Sequence, residues 1–262
     1  MSAIFLNNAI VHYEVLGRGK PVIFLHSWIG SWRYWISSMQ FASTNFRTYA
    51  IDFWGFGATN KLPSRYSLEQ QVVLLNDFIE CMGVGSFSLV GHGLGGIIGI
   101  YYAADHPEAV ERLMVISFPM GIQSANSRLS SMSPEEAADW LLGQNPPNTE
   151  SKEDARKADP QAISTALNNY NQVNWRQLIN RVPVSSIWIH GQNDQAISNP
   201  TGEQLTNLPE LSDHLTFSDS GHYPMLDEPS KFNRLLNKFL ELSPGDDPRL
   251  LDIKPMWKRR VR

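Results

Sequence analysis

Residues 85–100 read Gly85-Ser86-Phe87-Ser88-Leu89-Val90-Gly91-His92-Gly93-Leu94-Gly95-Gly96-Ile97-Ile98-Gly99-Ile100. The opening is a short apolar strand, the centre a glycine-dense turn, and the end an apolar helix. Working outward, residues 3–16 alternate through a turn at Asn7-Asn8 and predict a β-hairpin. Gly17-Arg18-Gly19-Lys20-Pro21 then leads into Val22-Ile23-Phe24-Leu25, a strand of buried type. Further apolar strands are expected at 48–52, 86–90, 113–117, 186–190 and 214–217, with helical patterns at 68–82, 96–105 and 230–241. Strands that alternate with helices predict the α/β class. The sheet should be doubly wound and mostly parallel, with an antiparallel hairpin at its N-terminal end and its sites at the strand C-termini.

The alternation breaks between 121 and 182. That stretch offers helices at 132–143, 160–171 and 175–181, separated by Pro146-Pro147 and the charged run from Glu150 to Lys157, and no strand. It reads as a helical insertion covering the active edge of the sheet, either gating the site or simply packing on it. The expected organisation is one discontinuous core (1–120 and 183–242), a small helical cap (121–182) and a basic C-terminal tail (243–262). In that tail Lys254, Lys258, Arg259, Arg260 and Arg262 surround Trp257. The tail is either a solvated end, a strap docked on the chain itself, or a contact for an acidic partner, a nucleic acid or a membrane surface, a partner whose identity the sequence leaves unknown.

A chain of 262 residues with 42% hydrophobic content can bury one large core. Its net charge of −4 gives no general attraction to nucleic acid or to anionic membrane. The single cysteine, Cys81, cannot form an internal disulfide, so a reducing, cytoplasmic compartment is expected. The N-terminal run Ser2-Ala3-Ile4-Phe5-Leu6 lacks the features of a secretory signal, and no stretch has the length of a membrane span.

Four further motifs follow the strands. They are Leu25-His26-Ser27-Trp28-Ile29-Gly30, Asp52-Phe53-Trp54-Gly55-Phe56-Gly57, His190-Gly191-Gln192-Asn193-Asp194 and Ser220-Gly221-His222-Tyr223-Pro224. With the turn Gly91-His92-Gly93-Leu94-Gly95, they resemble, in order, the signatures of the α/β-hydrolase fold superfamily. The turn is similar to the G-x-S-x-G nucleophile elbow, the first motif to the His-Gly-x oxyanion loop with Ser27 replacing the usual glycine, and the last two to the loops that carry the acid and the histidine. The resemblance implies ester or acyl hydrolysis of a hydrophobic carbonyl compound. Asp194 and His222 would be the acid–base pair, and the Trp28 and Leu94 backbone N–H groups the oxyanion hole. It implies structural roles for His26 and His92. Trp28, Phe53 and Trp54 are candidates to line an apolar substrate pocket, with packing between core and cap as the alternative.

At the elbow this chain carries Gly93, which has no side chain with which to attack a carbonyl. Ser27, Ser31 and Ser117 are the hydroxyls expected near the pocket, none of them at the elbow itself. Three readings stay open. The vacated space could hold a water activated by His222; the protein could bind a small molecule or act as a scaffold without catalysis; or glycine could stand where the natural chain has serine. Gly91-His92-Gly93-Leu94-Gly95-Gly96 also satisfies the dinucleotide pattern G-x-G-x-x-G. The next strand end, Val115-Ile116-Ser117-Phe118, lacks the acidic residue that binds a ribose, so no nucleotide cofactor is expected. No metal-binding spacing is present, and no metal is expected.

Overall fold

The computed structural model describes residues 2–121, 124–143 and 149–253. Strands β1 (Ser2–Leu6) and β2 (Ala9–Leu16) form the expected hairpin. Its turn residues Asn7 and Asn8 have φ of 48° and 62°, a left-handed conformation that asparagine tolerates better than most residues. Strands β3 (Lys20–Leu25), β4 (Phe46–Ile51), β5 (Phe87–His92), β6 (Val110–Ile116), β7 (Ser185–Gly191) and β8 (Ser212–Phe217) complete the sheet, in the order β1-β2-β4-β3-β5-β6-β7-β8. Only the β1/β2 and β2/β4 pairs are antiparallel.

From β3 the chain crosses first to β4 on one side and later to β5 on the other. The space above the C-terminal ends of β3 and β5 is therefore the topological switch point, where open α/β sheets bind their ligands. Helices α1 (Ile36–Ala42), α2 (Leu68–Cys81) and α3 (Leu94–Asp105) are the crossovers before β4, β5 and β6. Helix α3 starts two residues before the expected 96 and has almost no exposed face, because it lies directly on the sheet. A Cβ at Gly95 would stand 2.3 Å from the Leu25 carbonyl oxygen, and one at Gly99 would stand 3.1 Å from Leu113 Cδ1.

Between β6 and β7 the described residues form α4 (Arg128–Ser131), α5 (Pro134–Leu142), α6 (Thr149–Arg156), α7 (Pro160–Tyr170) and α8 (Trp175–Ile179). Pro146 and Pro147 lie outside the described residues. Helix α6 occupies the charged run that the sequence presented as a separator. Its Asp154 accepts from Arg33 Nε at 2.6 Å and from Ser31 Oγ at 3.2 Å, so partners 121 and 123 residues away pull a polar segment inward. Burial alone would raise the Asp154 carboxyl, but the Lys157 and Arg33 contacts hold it below its ordinary range. The segment is also bound to the Asp52–Gly57 turn, where Asp159 N–H donates to the Gly55 carbonyl at 2.8 Å, and to Tyr66, whose hydroxyl donates to Asp159 Oδ2 at 2.7 Å.

Helices α9 (Gly202–Leu205), α10 (Pro224–Asp227) and α11 (Pro229–Leu240) finish the fold. Beyond α11 a short 3-10 turn, Pro248–Leu250, packs beside β7 and β8, and Ile253 is buried, so residues 243–253 return to the body of the protein. The basic cluster 254–262 lies outside the described residues. Among the described residues no helix is long and apolar enough to cross a membrane.

Two histidines at the β7/β8 edge give the fold an acid sensitivity. His190 Nε2 lies 2.8 Å from the Phe118 carbonyl, which can only accept, so that nitrogen carries the proton and Nδ1 accepts from His214 Nε2 at 3.2 Å. Burial lowers both groups, and the neighbouring His190 helps bring His214 from 6.5 to about 3. The unfolded chain therefore takes up a proton that the native state refuses, and stability falls as pH drops from 6.5 towards 3. His214→Gln keeps a donor for His190 without the titration. Urea midpoints measured from about pH 7 to about pH 4 should fall less steeply for that variant than for the parent.

Candidate active site

The register of the central strands builds the site. Leu25 pairs with Gly91 across β3 and β5, so two residues further on the chain brings Ser27 abreast of Gly93. Gly93 has φ 49° and ψ −110°, the strained strand-to-helix turn of an elbow, and caps the N-terminus of α3. Its neighbours have to be small as well: a Cβ at Gly91 would lie 2.3 Å from the Gly95 carbonyl oxygen.

The place that a side chain at 93 would occupy is filled. Ser27 Oγ stands 2.0 Å from the ideal Cβ position, with Ser27 Cβ at 3.0 Å and the Trp28 ring at 3.1 Å. Of the three open readings, the one with a water in the vacated space is disfavoured at the Cβ position, where a hydroxyl from the neighbouring loop stands. That hydroxyl is fully buried and has no hydrogen-bond partner among the described residues; the Trp28 indole N–H is in the same condition.

The backbone of Ser27 is held on both sides. His26 donates from Nδ1 to the Ser27 carbonyl at 2.8 Å and accepts the Phe53 N–H on Nε2 at 3.0 Å. The Ser27 N–H donates to the Tyr34 hydroxyl at 2.6 Å. Tyr34 stands in a 3-10 turn, Trp32–Trp35, and lies 3.0 Å from His92 Nδ1, while His92 Nε2 is 2.9 Å from the His222 carbonyl. Since a carbonyl only accepts, His92 donates from Nε2 and Tyr34 donates to Nδ1, which fixes every proton in the relay. Burial drives His92 well down, and the adjacent His222 adds to the effect; burial drives the Tyr34 phenol well up. The relay is neutral throughout.

His222 follows β8 and Asp194 follows β7. His222 Nδ1 lies 2.9 Å from Asp194 Oδ2, and Asp194 Oδ1 accepts the Ala196 and Ile197 N–H groups at 2.8 and 3.0 Å. Burial alone would raise the Asp194 carboxyl, yet His222 and these hydrogen bonds hold it below the ordinary carboxylate range. The His222 carbonyl also accepts from Ser117 Oγ at 3.0 Å, and Ser117 adopts φ 47° to deliver that bond. His222 Nε2 has no hydrogen-bond partner among the described residues. The rings of His222 and His92 lie 4.6 Å apart, which places the imidazole beside the elbow. The Trp28 and Leu94 N–H groups, the expected oxyanion donors, likewise have no acceptor among the described residues, and that of Leu94 opens α3.

Of the two readings open for Phe53 and Trp54, packing is favoured by their contacts. Phe53 is buried against the His26 ring at 4.7 Å, and Trp54 is buried beneath Arg65, whose guanidinium lies 4.8 Å from the ring centre. Trp54 N–H and carbonyl both bond to Gln71 at 3.0 Å. These two side chains hold the Asp52–Gly57 turn in place, while the Trp28 ring lies 3.1 Å from the ideal Cβ position of Gly93. The sequence reading also passed over Tyr34 and Ser117 as positioning groups. A cavity of about 590 Å³ opens between α6 and the Tyr34 turn, lined by Arg33, Tyr34, Ile36, Glu150, Met225 and Leu226 among others.

The family described as alpha/beta hydrolase fold matches residues 20–162, and the chain belongs to that family. Among curated proteins it is similar to the 2-hydroxy-6-oxo-6-(2'-aminophenyl)hexa-2,4-dienoic acid hydrolase of Metapseudomonas resinovorans, with 24% identity over 87% of this chain and 86% of the relative. It is also similar to the pimeloyl-[acyl-carrier protein] methyl ester esterase of Vibrio cholerae, with 21% identity over 87% of this chain and 97% of the relative. Among solved structures, an esterase from Exiguobacterium antarcticum superposes with a TM-score of 0.81 at 18% identity, covering 92% of this chain and 99% of that one.

Proposed function

We propose that this protein hydrolyses carboxylic esters or related acyl compounds of small hydrophobic molecules, with His222 as the general base. The observation that carries this reading is the 2.9 Å bond from His222 Nδ1 to a buried Asp194, which leaves Nε2 as the free basic nitrogen beside the elbow. Asp194 orients the ring and stabilises the imidazolium as it forms, and the Trp28 and Leu94 N–H groups receive the developing oxyanion. The insertion expected at 121–182 acts as a cap over the strand ends, a role supported by the bonds of Asp154 to Ser31 and Arg33 and of Asp159 to Gly55. The methyl ester esterase among the relatives supports the same class of substrate.

A panel of short- and medium-chain aryl esters tests the proposal. Turnover is expected from the parent protein and should disappear in His222→Ala; turnover that persists in that variant would overturn the proposal. The second reading, a small-molecule binder, is favoured by the closure of the site, where Ser27, Trp28 and His222 have 0, 1 and 4% exposure. It predicts ligand-dependent shifts in melting temperature with no turnover in either form.

A further inference from the structure

We propose that the Ser27 hydroxyl is the nucleophile, supplied from the loop after β3 in place of the side chain that Gly93 lacks. This rests on the hydrolytic reading above. Four observations carry it. Ser27 Oγ lies 2.0 Å from where the elbow Cβ would be, little more than one covalent bond from the atom that bears the nucleophile elsewhere in the family. It is fully buried and unpartnered, which is costly for a hydroxyl with a merely structural role. Its backbone is clamped by Tyr34 and His26, so the residue is pre-organised. The two residues are also exchanged reciprocally, serine standing where the oxyanion loop resembles one with glycine and glycine where the elbow resembles one with serine.

The neighbouring groups keep their relation to the new position. At an elbow the N–H of the residue after the nucleophile serves the oxyanion hole; Trp28 follows Ser27 as Leu94 follows Gly93. When an acyl group enters, the hydroxyl rotates to His222 Nε2, a bond that tightens with substrate bound. Ser27 Oγ forms a bond to the acyl carbon and its proton passes to Nε2. The bond from acyl carbon to alkoxy oxygen breaks, and the alcohol leaves with that proton. Water then adds to the Ser27 ester, giving a proton to Nε2. The Oγ–acyl bond breaks, Ser27 recovers the proton and the carboxylic acid departs.

The test is reaction of the full chain with an alkyl fluorophosphonate, followed by intact mass and peptide mapping. The expected result is a single adduct on Ser27, absent from His222→Ala. Ser27→Ala should lose the adduct and about 10⁶-fold in turnover of aryl esters. Ser27→Cys, which retains the volume of the site, should be alkylated by iodoacetamide at position 27 faster with His222 present than in the His222→Ala background. An adduct on Ser31 or Ser117, or turnover that needs His222 yet survives in Ser27→Ala, would overturn the assignment and leave the hydrolytic reading standing. No turnover and no adduct on any serine would overturn both.

Discussion

Gly93→Ser introduced alone is expected to lower stability by about 2–5 kcal/mol, and Ser27→Gly in the same chain to restore about 1–2 kcal/mol of it. The loss has two sources. A serine at φ 49° and ψ −110° is strained by about 1–3 kcal/mol, which glycine escapes. Its Cβ would also turn the Ser27 hydroxyl aside from 2.0 Å and crowd Ser27 Cβ at 3.0 Å and the Trp28 ring at 3.1 Å, which adds about 1–2 kcal/mol. Removing the Ser27 side chain cancels the first two contacts and leaves the backbone strain. A double-mutant cycle of urea midpoints reads the coupling directly. Effects that add within about 0.5 kcal/mol would mean that the two hydroxyls do not compete for one space. With the serine back on the elbow, the doubly substituted chain should turn over aryl esters if the proposed hydrolysis holds.

Gly95→Ala should cost more, about 4 kcal/mol or above, although alanine favours an exposed helix over glycine by about 1 kcal/mol. The new methyl would sit 2.3 Å from the Leu25 carbonyl oxygen and 2.5 Å from its carbon, both backbone atoms of the central strand, which cannot turn aside as a side chain can. Gly95 N–H also donates to the His26 carbonyl at 2.9 Å, so lifting α3 drags the Ser27 loop with it. A shifted midpoint together with lost turnover is expected. A variant with the parent's midpoint would show that α3 stands further from β3 than 2.3 Å allows.

Much of this arrangement was legible in the chain because it is written in local chemistry. Asn7-Asn8 declared a turn, the apolar runs declared strands, and the loops holding Asp194 and His222 carried recognisable spacing. Helix α6 was not legible, since its polar residues are drawn inward by Arg33 and Asp139, which no local pattern reveals. For Phe53 and Trp54 the sequence leaves pocket wall and core–cap packing both open, because aromatic residues at strand ends serve either purpose, and their contacts with His26, Gln71 and Arg65 favour packing. The placement of Ser27 depended on the pairing of Leu25 with Gly91, a contact between residues 66 apart in sequence. The available signal was the double departure itself, serine for glycine at 27 and glycine for serine at 93.

One amide in this site keeps time. The Ser27 N–H is fully buried and donates to a phenol rather than to a strand neighbour, and that phenol is bound in turn to His92 and through it to the loop of His222. Its exchange with deuterated solvent therefore waits on the parting of side chains, not on the opening of the sheet. A ligand that quiets the His222 loop should lengthen that wait while leaving the amides of β3 and β5 unchanged, so a single peptide in an isotope-exchange map would report occupancy of the site before any product is measured.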